Sequence, residues 1–290
     1  MTDRSVSALP DVARLRRRFQ QSNRRAADRS LSGDPFFLHR KVGEELVERL
    51  QWLRCPPGRV LDIALGGGGV SRALAQQLPF ANVVQSDLAP FASNAGGAAQ
   101  SLGHERVVAR PDQLPFANAS QDHVVANLVL PWFEPFQVFQ SIHRVLVPGG
   151  GFSFSTLGPD TLVELREAFG QVDEHAHVHD FIDMHDLGDL LGVSGFSEPV
   201  LDVQRLTLTY STLDEVARDL RALQLTNLHP GRARGLLGRA AHQRLIKAYE
   251  ANRRDDGRLP VTVEIVYGFA FTGTPPAGGS NPDSEIAVTW

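Results

Sequence analysis

Apolar and polar positions along this chain follow two different periods, and the switches between them outline its elements. Over residues 35–53 (PFFLHRKVGEELVERLQWL), Leu38, Val42, Leu46, Val47 and Leu50 recur every three or four positions, which predicts a helix with one buried face. CPPG at 55–58 stops that helix, because proline lacks an amide hydrogen and clashes with the preceding turn. Residues 59–64 then form a short apolar run of the kind a buried strand needs, and helical spacing resumes over 70–78. The strand pattern returns at 82–86, 106–109, 122–127 and 152–155. Helices are expected between these strands at 90–102 and at 133–146, the second ended by PGGG. A basic helix is expected over 12–21. Strands alternating with helices predict βαβ units and an α/β, doubly wound, mostly parallel sheet.

The second half departs from strict alternation. Residues 161–169 and 184–191 read as helices, and 203–210 as a β-branched strand. Helices at 213–225 and 233–252 follow, and 260–271 (PVTVEIVYGFAF) reads as a seventh strand. The roughly 50 residues between the last two strands are too many for a hairpin. They are expected to form a helical lid insertion, about 211–258, within one domain spanning 13–272. Residues 1–12 and the Gly-, Pro- and Ser-rich tail 273–290 are expected to be disordered or flexible.

Composition narrows the class. A chain of 290 residues with 42% hydrophobic content can build one large α/β core. No apolar run approaches the ~20 residues needed to span a bilayer, and no apolar stretch follows the N-terminal charges, so a cytoplasmic, non-membrane protein is expected. The one cysteine, Cys55, excludes an internal disulfide and a thiolate metal cluster. The ten histidines lack HExxH spacing, and no metal is expected. Charge is uneven about a net of −4: Arg14, Arg16, Arg17, Arg18, Arg24, Arg25 and Arg29 crowd the start, and Arg253, Arg254 and Arg258 form a second group. These read either as solvated helix faces or as a basic rim for an acidic partner. The negative total and the absence of interleaved aromatics argue against nucleic acid.

Candidate chemistry begins in RVLDIALGGGGVSRAL (59–74), where Gly66 to Gly69 follow the first strand. In open α/β sheets such a loop sits at the ligand-binding edge. A dinucleotide fold needs GxGxxG at the helix start and a P-loop needs Gly-Lys-Ser/Thr; neither spacing is present. S-adenosyl-L-methionine carries ribose, adenine and an amino acid but no phosphate, so its loop needs close backbone approach, which Gly66 and Gly68 permit beside Ala64. Asp87, with Leu88, ends the second strand where an acceptor pair for the ribose diol is required. Asp112 and Gln113 follow the third strand, where an acceptor for the adenine amino group is required, with Leu114 as an apolar wall. Asp62 either braces the loop or receives the methionine ammonium through water, and Asn127 closes the cofactor-binding set. Asp87 and Asp112 also have plain turn readings.

DQLPF (112–116), NLVLPW (127–132), RVLVPGG (144–150) and STLGPDTLVELREAF (155–169) together resemble class I S-adenosylmethionine-dependent methyltransferases. More narrowly, the chain is similar to the BioC branch, the malonyl-acyl-carrier-protein O-methyltransferases of biotin synthesis. VDEHAHVHDFIDMHDLGDLL, LTLTY and RRDDGRLPVTVEIVYGFAF extend the resemblance over roughly 15–272. The resemblance implies a Rossmann-like seven-stranded sheet in the order 3-2-1-4-5-7-6, strand 7 being antiparallel. It also implies S-adenosyl-L-methionine as cofactor, malonyl-acyl carrier protein or malonyl-CoA as partner, and methylation of the free malonyl carboxylate. That carboxylate is ionised at neutral pH, with a pKa near ~4, so no general base is required. The site must align and desolvate it instead. The match places His177 as a donor to the carboxylate, and Trp132 and Phe133 as walls of the substrate pocket or as core. The chain departs from the family's LDLGCGTG pattern at Ala64, Leu65 and Gly67, has Gln121 where an apolar residue is usual, and has no tyrosine near its start. Two further readings stay open: an assembly or binding factor that has lost turnover, and an enzyme of the same fold with another acceptor.

Overall fold

The computed structural model describes residues 12–27 (backbone only for 22–27), 36–50, 58–65, 70–77, 82–90, 105–223 and 237–273, with 225, 227, 229, 232, 233 and 235 between the last two. In chain order the elements are α1 (Val12–Ala27), α2 (Phe37–Leu50), β1 (Arg59–Ala64), α3 (Ser71–Gln77), β2 (Asn82–Asp87), β3 (Glu105–Val108) and β4 (Gln121–Asn127). A 3-10 turn at Leu130–Trp132 precedes α4 (Pro135–Val145), β5 (Leu146–Leu157), α5 (Val163–Gly170) and α6 (Met184–Val193). The chain then forms β6 (Phe196–Tyr210), α7 (Leu213–Ala222), α8 (Arg239–Glu250) and β7 (Leu259–Thr272).

The seven strands lie in the order β3-β2-β1-β4-β5-β7-β6, and β7 runs antiparallel to both of its neighbours. This is the expected doubly wound order. The parallel register sets Ala64 beside Asp87 and Asp87 beside Val108, so three strands end together at one edge. Asn127 and Ser155 are paired at the same edge, between β4 and β5.

Side chains alternate across the strands and build one core on each face. Leu61, Ile63, Val124, Ala126, Phe152 and Phe154 join α4, α6 and the buried Leu15 and Phe19 of α1. Val60, Val83, Val125, Val261 and Val263 turn to the other face, against α2, α3, α7 and α8. Phe139, Phe152, Phe154 and Phe196 form an aromatic cluster in the first core. Gly268 of β7 makes room for it, since a Cβ there would overlap the Phe154 ring.

Several boundaries differ from expectation, α1 running on to Ala27 among them, and for two strands the reason is tertiary. β5 starts at Leu146, before PGGG, because the glycines loop out against β4: the register passes from Gln121↔Leu146 to His123↔Gly151, with Gly149 at φ 75. β6 starts at Phe196 because it pairs with β7 along its whole length, from Phe196↔Thr272 to Tyr210↔Leu259. α8 starts only at Arg239, capped by Gly238. The expected helix over 90–102 and most of both expected disordered ends lie outside the described residues.

Candidate active site

The carboxyl edge of the sheet gathers the acids that the sequence singled out. Asp62 of β1 is fully buried. Its Oδ2 accepts hydrogen bonds from Ser71 N (2.9 Å) and from Ser71 Oγ. It therefore ties the start of α3 to β1 across residues 66–69. Among the described residues Asp62 Oδ1 is buried with no hydrogen-bond partner. Burial pushes the carboxyl up to about 6, against the pull of the Ser71 bonds. Ala64 and Leu65 are buried at the strand end. Gly66 and Gly68 lie outside the described residues.

Asp87 ends β2, wholly buried, and its Oδ1 accepts a hydrogen bond from Ala89 N at 2.9 Å in an Asx turn. Leu88 is buried beside it. Past β3, the Arg110 fork holds Asp112, Nε donating to Oδ1 at 2.9 Å and Nη2 to Oδ2 at 2.5 Å. Gln113 is exposed. Leu114 is buried and pinned through its backbone, its N–H donating to Ser141 Oγ (3.0 Å) and its carbonyl accepting from Arg144 Nη2 (2.6 Å). Asn127 is a bracket: Nδ2 donates to His39 O (2.8 Å) and Oδ1 accepts from Ser155 Oγ (2.8 Å), joining α2 to β4 and β5. The next residue, Leu128, sits at φ 53, in the left-handed region that costs a non-glycine residue roughly 1–2 kcal/mol. Ser155 holds it there, accepting from Leu128 N through both its carbonyl (3.0 Å) and its hydroxyl (3.1 Å).

This turn opens a cleft lined by Leu38, His39, Leu128, Pro131, Trp132, Leu157, Leu223 and Leu225. Trp132 stands in its wall and Phe133 faces the core. Trp132 meets Phe19 edge-on at 6.1 Å and His179 edge-on at 5.7 Å. His177 lies elsewhere on the same loop. Its ring stacks on Phe169 at 3.7 Å and its Nε2 is 2.8 Å from Asp173 Oδ1. With Nε2–H donating to Asp173, Nδ1 donates to an acceptor only when the ring carries both protons.

The sequence gives no site role to His179, His229 and Arg232, and marks Arg18 only as part of a basic rim; the four are electrostatically coupled near Trp132, from three separate segments. The sequence trace of His179 was the alternation of His175, His177 and His179. His123, by contrast, is core: burial holds it down at about 4, its ring stacks on Phe269, and Nε2 bonds Ser153 Oγ at 3.1 Å. Among the described residues no group of three or more His, Cys, Asp or Glu is placed to hold a metal. No described helix is long and apolar enough to cross a membrane.

Sheet order and acid-lined edge together define a Rossmann-like methyltransferase. The model of the methyltransferase domain matches residues 61–154, which run from β1 into β5. The malonyl-[acyl-carrier protein] O-methyltransferase of Gallionella capsiferriformans is 43% identical over 247 residues, 82% of this chain and 85% of that one. Its counterpart from a Methylovorus species is 42% identical over 291 residues, 97% of this chain and 95% of that one. The chain belongs to the malonyl-[acyl-carrier protein] O-methyltransferase family. A solved Bacillus halodurans protein described as a methyltransferase shares the fold, with a TM-score of 0.55 at 20% identity, over 79% of this chain and 99% of that one.

Proposed function

We propose that this protein transfers the methyl group of S-adenosyl-L-methionine to the free carboxylate of a malonyl thioester on acyl carrier protein, in the cytoplasm, as a step of biotin synthesis. Malonyl-CoA presents the same acyl group and is the second acceptor of the reading. The observation that carries it is the set of acids at the sheet's carboxyl edge in a chain whose relatives bear this activity in their name along most of its length.

The residues present fit the cofactor. The unpartnered Asp62 Oδ1 is a buried acceptor of the kind an ammonium group satisfies, directly or through water. Asp87 would take the ribose diol and Asp112 the adenine amino group, with Leu88 and Leu114 as apolar faces and Gln113 at the rim. Ala64, Gly66 and Gly68 would supply the close-approaching backbone, and Asn127 the bracket that holds the edge in shape. When bound, the cofactor supplies an electrophilic methyl on a sulfonium. The protein supplies alignment and exclusion of water. Trp132 builds an apolar wall that strips water from the acceptor, with Phe133 packed in the core behind it, and the segment between α7 and α8 is the lid over it. His177, held by Phe169 and Asp173, would meet the carboxylate through its other ring nitrogen.

Calorimetric titration with S-adenosyl-L-methionine, followed by transfer of a labelled methyl group to malonyl-acyl carrier protein, tests the reading. Saturable binding and a label released by mild base, as from an ester, are expected. No binding at millimolar cofactor would sink the whole reading. Label carried to another acceptor but never to a malonyl thioester would sink the substrate alone.

A further inference from the structure

The strongest cluster left over is cationic. α1 is anchored by the buried Leu15 and Phe19, and Phe19 meets Trp132. Arg18 precedes Phe19 and lies about one turn after Arg14, on a flank of the helix that leaves it half-buried. Arg232 arrives from the segment after α7, which is tied to the histidine loop at several points. Asn227 Nδ2 donates to Ala176 O at 2.6 Å, His229 N donates to Asn227 Oδ1 at 2.9 Å, and His229 Nε2 lies 3.2 Å from Asp180 Oδ2. Arg232 Nη1 in turn donates to His229 O at 3.2 Å. Leu225, from the same segment, lines the cleft with Trp132.

Electrostatics single out the same place. Burial, then the charges of Arg14 and Arg232, hold the Arg18 guanidinium below the ordinary arginine value. His179, edge-on to Trp132, is held down at about 4 by burial and by His229, Arg18 and Arg232, against the opposing pull of Asp180. It is therefore neutral at pH 7 and adds no further charge. Like-charged guanidinium groups beside an apolar wall repel one another, and an anion entering between them relieves that repulsion. A carboxylate at the end of an otherwise uncharged acyl thioester has this profile: one charged end and an apolar remainder.

We infer that Arg18 and Arg232 form the recess that receives the free carboxylate of the malonyl group, beside the apolar wall of Trp132. The assignment rests on the malonyl-thioester reading above. Two guanidinium forks select an acyl group by its charge, which gives the recess a second use. Methylation removes that charge, so the recess discriminates against the product ester and favours its release.

The test uses the full-length enzyme with two acceptors, a malonyl thioester of pantetheine and malonyl-acyl carrier protein. Arg18→Gln and Arg232→Gln are each expected to raise KM about 30- to 100-fold for both acceptors, with kcat within a few-fold. Cofactor affinity and the circular dichroism spectrum are expected to stay as in the parent. The parent is expected to bind the malonyl thioester more tightly than the acetyl thioester by a similar factor. Both variants should lose that discrimination, and Arg18→Lys should regain part of it. A KM rise confined to the carrier-borne acceptor overturns the inference and makes the arginines a docking surface. An unchanged KM with both acceptors overturns it outright. If Arg18→Gln fails to fold, Arg232→Gln, in a segment outside the regular helices, is read alone. Absence of transfer by the parent strikes the function reading itself, whereas transfer with unchanged KM in the variants strikes this inference alone.

Discussion

The two sides of the carboxyl edge are built differently. On the side proposed for the cofactor, Asp62, Asp87 and Asp112 belong to or closely follow successive strands, and parallel pairing of β1, β2 and β3 brings those strand ends abreast. On the side proposed for the acceptor, Arg18, His179 and Arg232 come from α1, the histidine loop and the segment after α7, and tertiary packing beside Trp132 brings them together. One side is a property of sheet topology and the other of tertiary docking. Substitutions on the cofactor side should therefore change cofactor affinity and leave the choice of acyl group untouched, while those on the acceptor side should change which acyl group is accepted.

The sharpest way to break this contrast is Asp87→Ala. If Asp87 takes both ribose hydroxyls, two charge-assisted bonds of about 2 kcal/mol each are lost, and the cofactor dissociation constant rises about 1,000-fold. KM for the malonyl thioester at saturating cofactor should stay within a few-fold. Calorimetry and initial rates read the two separately. An unchanged dissociation constant would reduce Asp87 to the Asx turn it makes with Ala89.

Asp62 comes next, through pH. Its carboxyl is raised by burial from the ordinary 3.8 to about 6, so the folded state holds the proton more tightly than the unfolded chain does. The stability this provides is complete below 3.8 and is lost as pH rises through about 6. As pH falls through that window the parent should gain on the order of 3 kcal/mol relative to Asp62→Asn, which cannot titrate there. His123 and His179 oppose it in both proteins. They are held down at about 4, so their contribution is lost as pH falls below 6.5. The difference between parent and variant, from urea unfolding at successive pH values, therefore isolates Asp62. Cofactor affinity should move the other way, falling as pH drops through about 6, because an ammonium pairs with the charged carboxylate. A flat stability difference from pH 4 to 7.5 would show that Asp62 is not a buried, strained acceptor.

Legibility in the sequence follows the same division. The strands were readable because a strand buried on both faces must be a short apolar run, as in residues 59–64. Asp62, Asp87 and Asp112 were readable because each lies at or just after such a run. The starts of β5 and β6 were not, because Leu146 and Phe196 extend only by pairing with Gln121 and Thr272, far along the chain. His177 was singled out by position in a motif, yet the imidazole against Trp132 belongs to His179. The two alternate along one loop, and nothing in their spacing tells which one packing against Phe19 and α1 will favour. Arg18 was visible only as one of the many arginines near the start. Its neighbour Phe19 marks it out, by being buried, and burial of a single aromatic in a basic helix is a tertiary fact.

The smallest expected effect sharpens the comparison most directly. Arg110 and Arg18 are both arginines near the edge, but Arg110 is spent on Asp112, with a side chain 39% exposed against 15% for its partner. A pair of this exposure contributes under about 1 kcal/mol to stability. Arg110→Ala should therefore shift the unfolding midpoint only slightly and weaken the cofactor about threefold, through a less well oriented Asp112. It should leave the preference for a malonyl over an acetyl thioester intact. The matched loss at Arg18 is expected in the opposite columns, with cofactor affinity kept and acyl preference gone. If Arg110→Ala also erased the acyl preference, charge anywhere along this edge would suffice to attract the acceptor. The distinction between a base that orients an acid and a base that receives a substrate would then collapse.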